Sequence, residues 1–290
     1  MSLEQATLAF AVESPPAPLP DTVASTTLEL IGRGRPRLTV VVPAYGDGKT
    51  IGGNLRRLQD ALEATGLTWE VVVVVDGDAL TAEHAARARS SRLRVYAYQQ
   101  NRGKGFALRY GMTKARGELV TMIDSDMEIA PEEIGRMTRL MDLYGADMVV
   151  GSKRHPLSDV HYPPFRRFQS VCYQLLVRLL FRVNLRDTQT GLKVMRREVA
   201  ERVIQVALVK RFAFDLELVV LAHRFGFRRI LEAPVRIEYG FSSTTNLRAV
   251  FRVVWDTLAI FYRMRLRHWY DRSTGKGVAA LSVALLEPDE

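Results

Sequence analysis

Cysteine is nearly absent: the 290 residues contain one, Cys172. A single thiol cannot form an internal disulfide, so a packed core must hold the fold, and a reducing cytosolic setting is expected. Cys172 sits in an apolar run, which predicts a small buried hydrophobe and not a nucleophile. Long uncharged apolar stretches are also missing. Arginines cut the longest runs short of the roughly 18 residues a spanning helix needs. The N-terminus lacks a basic start followed by an apolar segment, so no cleaved leader is expected. Any contact with a membrane would be made by lying on it. There is no Gly-x-x-x-x-Gly-Lys-[Ser/Thr], which disfavours a P-loop ATPase. No Gly-x-Gly-x-x-Gly follows the first strand, which disfavours a dinucleotide-binding dehydrogenase. The five histidines are scattered, with no His-x-x-x-His or cysteine-rich metal pattern.

What the chain does have is a core and a basic surplus. Apolar residues make up 47% and charged residues 25%, enough for one large α/β domain. Lys and Arg number 41 against 32 Asp and Glu, a net charge of +9. That surplus points to an anionic partner: nucleic acid, a phosphorylated substrate or an acidic membrane surface.

Residues 1–36 read as a flexible tail, because Ser14-Pro15-Pro16-Ala17-Pro18-Leu19-Pro20 suits neither a helix nor a central strand. Strand and helix then alternate. Leu38-Thr39-Val40-Val41-Val42 and Glu70-Val71-Val72-Val73-Val74-Val75 are continuous β-branched runs, typical of buried parallel strands. Between them Ile51, Leu55, Leu58 and Leu62 recur at helical spacing. A helix over 81–90 leads to a strand at 93–98, and a helix to about 115 follows the loop 101–105. Strands at 119–123 and 147–151 complete the first half, with a helix opened by Pro131 between them. This predicts a doubly wound, mostly parallel sheet, whose ligand lies at the carboxyl ends of its strands.

The second half changes character. Residues 164–184 read as a helix with the core Leu175-Leu176-Val177-Arg178-Leu179-Leu180-Phe181, rimmed by Arg166, Arg167, Arg178, Arg182 and Arg186. In a second such helix, over 246–269, Val250, Phe251, Val254, Leu258, Phe261 and Tyr262 share a face. Ordinary core packing explains both, and so does lying in a membrane interface.

Polar clusters end the strands. Asp124-Ser125-Asp126 aims two carboxylates at one point. A hard divalent cation held there would bridge the protein to a diphosphate and stabilise it as a leaving group. Asp-x-Asp is also a common turn, and its place after an apolar strand is what favours the metal reading. Asp76-Gly77-Asp78 could accept from a nucleobase N–H or simply turn the chain. Asn101-Arg102-Gly103-Lys104-Gly105 is a basic glycine loop before a helix, suited to phosphate. Lys153, Arg154, His155, Arg166 and Arg167 form a second basic cluster that could hold an acceptor phosphate or lie solvated. Asp187-Thr188 could cap a turn. Asp215 and Glu217 stand on a largely apolar helix and need partners.

In this order, the pieces resemble glycosyltransferase family 2 with its GT-A fold, closest to the polyprenyl- and dolichyl-phosphate hexose synthases. The matching residues are Val41-Val42-Pro43-Ala44-Tyr45, Asp76-Gly77, Asn101-Arg102-Gly103-Lys104-Gly105, Asp124-Ser125-Asp126, Gly151-Ser152-Lys153, Asp187-Thr188-Gln189-Thr190-Gly191-Leu192-Lys193 and Phe214-Asp215-Leu216-Glu217. They span residues 38–240. The resemblance implies a GT-A catalytic domain over 37–240, an amphipathic interface helix over 241–272 and a tail over 273–290. It implies a donor site of Pro43, Ala44, Tyr45, Asp47, Asp76, Arg102, Lys104 and Asp124. Asp124 and Asp126 would hold Mg²⁺ or Mn²⁺, and Asp124, Asp126 and Asp215 would serve catalysis. Lys153, Arg154, Arg166 and Arg167 would hold the acceptor phosphate. Asp47 stands where Glu is commoner, and Lys153, where Arg is typical, offers a point charge and not a fork.

The implied reaction is inverting transfer of a hexose from UDP-glucose, or next GDP-mannose, to a polyprenyl phosphate. It would take place on an anionic membrane surface, with the protein peripheral on the cytoplasmic face, alone or as a homo-oligomer. The alternative is a soluble family 2 transferase acting on a sugar, peptide or small metabolite. A nucleotidyltransferase would share the sheet and the metal carboxylates but release pyrophosphate. Nucleic acid is not an expected partner, because carboxylates at successive strand ends repel its phosphates.

Overall fold

A computed structural model of the chain describes residues 34–158, 164–209, 213–237 and 247–272. The expected tails, up to residue 33 and from 273 on, lie outside these residues. The chain divides into two units, Met1–Gly34 and Arg35–Glu290, and every strand and helix described belongs to the second.

Seven strands form one sheet in the order β3-β2-β1-β4-β6-β5-β7. They are β1 (Leu38–Ala44), β2 (Trp69–Asp76), β3 (Leu93–Tyr98), β4 (Leu119–Met122), β5 (Met148–Ser152), β6 (Lys193–Arg196) and β7 (Ile230–Pro234). Six run parallel, and β6 lies antiparallel between β4 and β5. The central strands β1 and β2 are buried at every position. Their unbroken Val runs follow from that, since a strand covered on both faces has no use for polar alternation.

Helices cover both faces. On one side α1 (Ile51–Glu63), α2 (Ala79–Ala86) and α4 (Glu133–Tyr144) pack against Val40, Val42, Val71 and Val73. The spacing read from the sequence is the buried face of α1: Ile51, Leu55, Leu58 and Leu62 are all fully buried. Truncating Leu55 to Ala would cost about 2–5 kcal/mol by cavity formation. On the other side lie α3 (Lys104–Thr113), α5 (Pro164–Phe181), α6 (Arg197–Ile204), α7 (Phe214–Arg224) and α8 (Leu247–Phe261), against Val41, Val120, Met122 and Val150. After α8 come a π-helical turn at Tyr262–Leu266 and the short α9 (Trp269–Arg272).

Three expectations need correction. The helix expected over 81–90 begins earlier, at Ala79, because Asp78 caps it by accepting the Leu80 N–H. The helix expected over 246–269 does not run through unbroken: π-turn geometry follows Phe261, and His268 has a positive φ of 47°. Cys172 is exposed on α5 and not buried. The antiparallel β6 carried no strand signal, having four residues and a lysine at its start.

The reversal of β6 matters most for function. Lys193, its first residue, pairs with Met122 at the end of β4 and with Val150 near the end of β5. The loop that leads into β6 is thereby delivered to the carboxyl ends of its parallel neighbours.

Candidate functional site

Asp124 follows β4 through Ile123, whose N–H donates to the Val41 carbonyl and extends the pairing with β1. The triplet is then turned sharply. The Met127 N–H donates to the Asp124 carbonyl, and Met127 has a positive φ of 50°, an uncommon conformation for a bulky side chain. Asp126 Oδ1 accepts the Glu128 N–H at 3.1 Å, an Asx-type turn that leaves the carboxylate exposed. The middle residue has its own task. The Ser125 hydroxyl donates to Asp47 Oδ2 at 2.6 Å, and its carbonyl accepts from Asn54 Nδ2 at 2.8 Å. Asp47 also accepts the Tyr45 N–H. The loop after β1 and the triplet after β4 are therefore one unit.

A second unit joins them. The Lys104 ammonium, in the first turn of α3, lies 2.6 Å from Asp124 Oδ1 and 3.2 Å from Asp215 Oδ2. Asp215, on α7, takes Lys193 at 2.5 Å on its other oxygen. Lys193 also donates to the Thr190 carbonyl. Gly191 faces Asp124, and a methyl group there would overlap the carboxylate. Burial works against the charge on Lys104, but Asp124 and Asp215 outweigh it and hold its pKa above the usual lysine value. Burial likewise works to raise Asp124, but Lys104, then Lys193 and Lys153, keep it below the usual carboxylate range. For Asp126 the balance is reversed. Partial desolvation, reinforced by Asp124, Glu128 and Asp47, raises its pKa in spite of the Glu128 N–H.

These residues fit a divalent cation. Asp126 is an exposed carboxylate whose pKa is raised first by partial desolvation and then by its negative neighbours Asp124, Glu128 and Asp47. Asp124 already accepts a cation, the lysine ammonium. Among the described residues no three His, Cys, Asp or Glu side chains converge. The pair would thus supply part of a coordination shell, with substrate oxygens and water for the rest, as Mg²⁺ commonly takes.

The remaining expected donor residues are distributed unevenly. Tyr45 is 60% exposed at the sheet edge, while Pro43 and Ala44 are buried in β1. Asp76 is buried, and its two oxygens accept the N–H groups of Arg102 and Gly103 at 2.7 and 2.8 Å. It shapes the basic loop, and Gly77, with a φ of 72°, lets Gln100 and Asn101 pass against it. The Arg102 guanidinium stacks over Phe106 at 5.0 Å. Asp78 is a structural cap, accepting from Gly46 and Thr81 as well as Leu80.

On the acceptor side, the Lys153 ammonium lies 2.9 Å from Glu128, and its N–H donates to Asp187. Arg154 braces the structure, donating from Nη1 to the carbonyls of Ser170 and Arg186. The side chains of Arg166 and Arg167 lie outside the described residues. Asp215 reaches the site only through the two lysines, since its side chain is 2% exposed.

Lys193 and Gly191 stand in the motif matched above without a role assigned to either, and Tyr173 was not singled out. A lysine inside the apolar run Gly191-Leu192-Lys193-Val194-Met195 was the available signal for the first. Tyr173 has none in the sequence. On α5, it accepts from Gln189 Nε2 at 2.8 Å and donates to Thr257 of α8 at 3.0 Å, because the Thr257 hydroxyl proton goes to the Val253 carbonyl.

A doubly wound sheet with one reversed strand, and paired carboxylates and lysines at its carboxyl edge, defines a glycosyltransferase of the GT-A type. Residues 39–204 match the model of glycosyl transferase family 2, and the chain belongs to that family. A dolichyl-phosphate beta-glucosyltransferase of Trichomonas vaginalis is 30% identical over 244 residues, 78% of this chain and 74% of its own. A dodecaprenyl-phosphate galacturonate synthase of Rhizobium johnstonii is 26% identical over 258 residues, 86% of this chain and 74% of its own. Glucosyl-3-phosphoglycerate synthase of Mycobacterium tuberculosis, solved with Mn²⁺, UDP and phosphoglyceric acid, shares the fold. Its TM-score is 0.59 at 19% identity, over 79% of this chain and 78% of that one.

Proposed function

We propose that the protein transfers a hexose from a nucleotide sugar, UDP-glucose first and GDP-mannose second, to a polyprenyl phosphate, inverting the anomeric carbon. The named activities of the Trichomonas and Rhizobium relatives support this acceptor class. The observation that carries the reading is an apolar face joined to the site. Leu175 and Leu179 on α5, with Phe251, Trp255 and Leu258 on α8, point outward, and Tyr262 and Leu266 continue the stripe. Leu179 is 79% and Trp255 65% exposed. Exposed Arg178, Arg182, Arg252, Arg265 and Arg267 flank it. Apolar residues rimmed by arginine suit an anionic lipid surface. Tyr173 links both helices to Gln189 in the loop that contacts Asp124. Among the described residues no helix is long and apolar enough to cross a membrane. Residues 241–272 are proposed as the membrane-facing part and 37–240 as the catalytic domain, with the protein on the cytoplasmic face.

Asp124 and Asp126 would hold Mg²⁺ or Mn²⁺, which would neutralise charge on the departing nucleoside diphosphate. The Mn²⁺ and UDP bound by the Mycobacterium protein support this assignment. Tyr45 offers a ring for the base, and Arg102 and Lys104 offer cations for the diphosphate. The acceptor phosphate would lie by Lys153, with Arg166 or Arg167. Its attacking oxygen is already anionic, so no general base is needed and positioning does most of the work. Asp215 would act as a positioning residue through Lys104. Incubation with labelled UDP-glucose, Mg²⁺ and polyprenyl phosphate should give a labelled lipid. No lipid product from any common nucleotide sugar would sink the proposal.

A second reading is a soluble transferase with a small phosphorylated acceptor. It is favoured by the phosphoglyceric acid bound in the Mycobacterium structure. Flotation with anionic vesicles separates the two: a protein that stays unbound at low salt supports the small acceptor.

A further inference from the structure

Four charges at the sheet edge form a neutral chain: Asp124, Lys104, Asp215 and Lys193. They differ in freedom. Asp215 and Lys193 are buried within α7 and β6 and hold each other at 2.5 Å. Lys104 and Asp124 have side chains 16% and 40% exposed. The flexible stem of Lys104 carries a rotatable ammonium from the start of a helix. The accessible part of the chain is therefore the Lys104–Asp124 contact, which occupies one oxygen of a carboxylate that a divalent cation would need.

A cation arriving alone would find the Asp126 carboxylate exposed but would have to displace an ammonium bonded to its other ligand, Asp124. A cation arriving with a diphosphate brings compensating negative charge, and the diphosphate offers Lys104 a replacement partner. We propose that Lys104 gates metal entry. It occupies Asp124 until a diphosphate draws it away, so that metal and nucleotide bind as a pair. Asp215, locked by Lys193, keeps the ammonium within reach of Asp124. The identity of the diphosphate rests on the donor reading above; the competition for Asp124 rests on the geometry alone.

The test measures Mn²⁺ binding to the full chain by electron paramagnetic resonance, with neither nucleotide nor acceptor present. The neutral variant Lys104→Met should bind Mn²⁺ at least about tenfold more tightly than the parent protein, the scale set by losing a charge-assisted competitor. Lys104→Arg keeps the cation and should stay weak. Adding Asp124→Asn to Lys104→Met should abolish the gain. With UDP added, the parent should tighten its hold on Mn²⁺ far more than Lys104→Met does. Equal Mn²⁺ affinity in the parent and Lys104→Met overturns the gate, as does a gain that survives Asp124→Asn. Should Lys104→Met fail to fold, Lys104→Gln replaces it with the same decisive outcomes. A failed sugar-transfer assay would leave the nucleotide-free comparison intact, so the two proposals fail separately.

Discussion

Lys193 Nζ lies 2.5 Å from Asp215 Oδ1, and neither side chain reaches solvent. The pair ties β6 to α7 beneath the site, and each charge is costly to bury without the other. Replacing Lys193 by Met strands the carboxylate. The expected loss is about 3 kcal/mol, the lower end for a broken buried pair, because Lys104 remains beside Asp215. Urea unfolding should show a lower midpoint with an unchanged slope. The double variant Lys193→Met, Asp215→Leu should recover most of the loss, since it leaves no unpaired charge. A double variant as unstable as the single would show that shape and not charge sets the cost.

Gly191→Ala probes placement without altering charge. Gly191 does not have a positive φ, so alanine can adopt its backbone. The added methyl would still overlap the Asp124 carboxylate. Displacing that group by about an ångström should lower kcat/KM by roughly a hundredfold, with a far smaller change in thermal melting. Unchanged kinetics would remove Asp124 from the reacting centre.

Much of this architecture could be read in advance, for a physical reason. Strands buried on both faces show unbroken apolar runs, as Val40 to Val42 and Val71 to Val75 do. A half-buried helix such as α1 shows its period, and polar residues that end such strands must lie at the sheet edge. The triplet at 124–126, the basic loop at 101–105 and the helix at 214–224 were legible on these grounds. What stayed hidden depends on pairing across the fold. β6 has no local strand signal, and its direction follows from neighbours distant in sequence. Beyond its place in the matched motif, Lys193 therefore has no legible role until β4 and β5 close around it. The same holds for Asp76, whose bonds to the Arg102 and Gly103 N–H groups make it a builder of the basic loop. Helical period alone did not separate core from surface in α8 and the π-helical turn after it. Phe251, Leu258 and Tyr262 are exposed, while Thr257, Ile260 and Met264 face inward.

That outward face gives a prediction for membrane binding. Phe251→Ser should weaken binding to anionic vesicles by about tenfold, the scale of losing most of one buried aromatic side chain. Activity on a short, water-soluble acceptor should persist, because Phe251 lies on the outer side of α8. Raising salt should weaken binding of both proteins by screening the arginines. Undiminished vesicle binding by Phe251→Ser would move the docking surface elsewhere.

Glu217 supplies a test by pH. Its carboxylate is fully buried, accepting the N–H groups of Leu208 and Val209 and the hydroxyl of Tyr270. Burial raises its pKa above the ordinary 4.5, despite the opposing bonds from Tyr270, Val209 and Leu208 and the charge of Arg263. The folded protein thus holds this proton more tightly than the unfolded chain does. The resulting cost is absent below the unfolded pKa. It grows as pH rises above that value and is complete beyond the folded one. Glu217→Gln cannot titrate. Its offset from the parent includes a constant part, from hydrogen bonds its amide nitrogen cannot accept. The pH-dependent part should shift in favour of the variant over the range in which pH rises above the unfolded value of 4.5. Denaturant unfolding across that range measures the difference, and an offset independent of pH would mean that Glu217 is equally charged in both states.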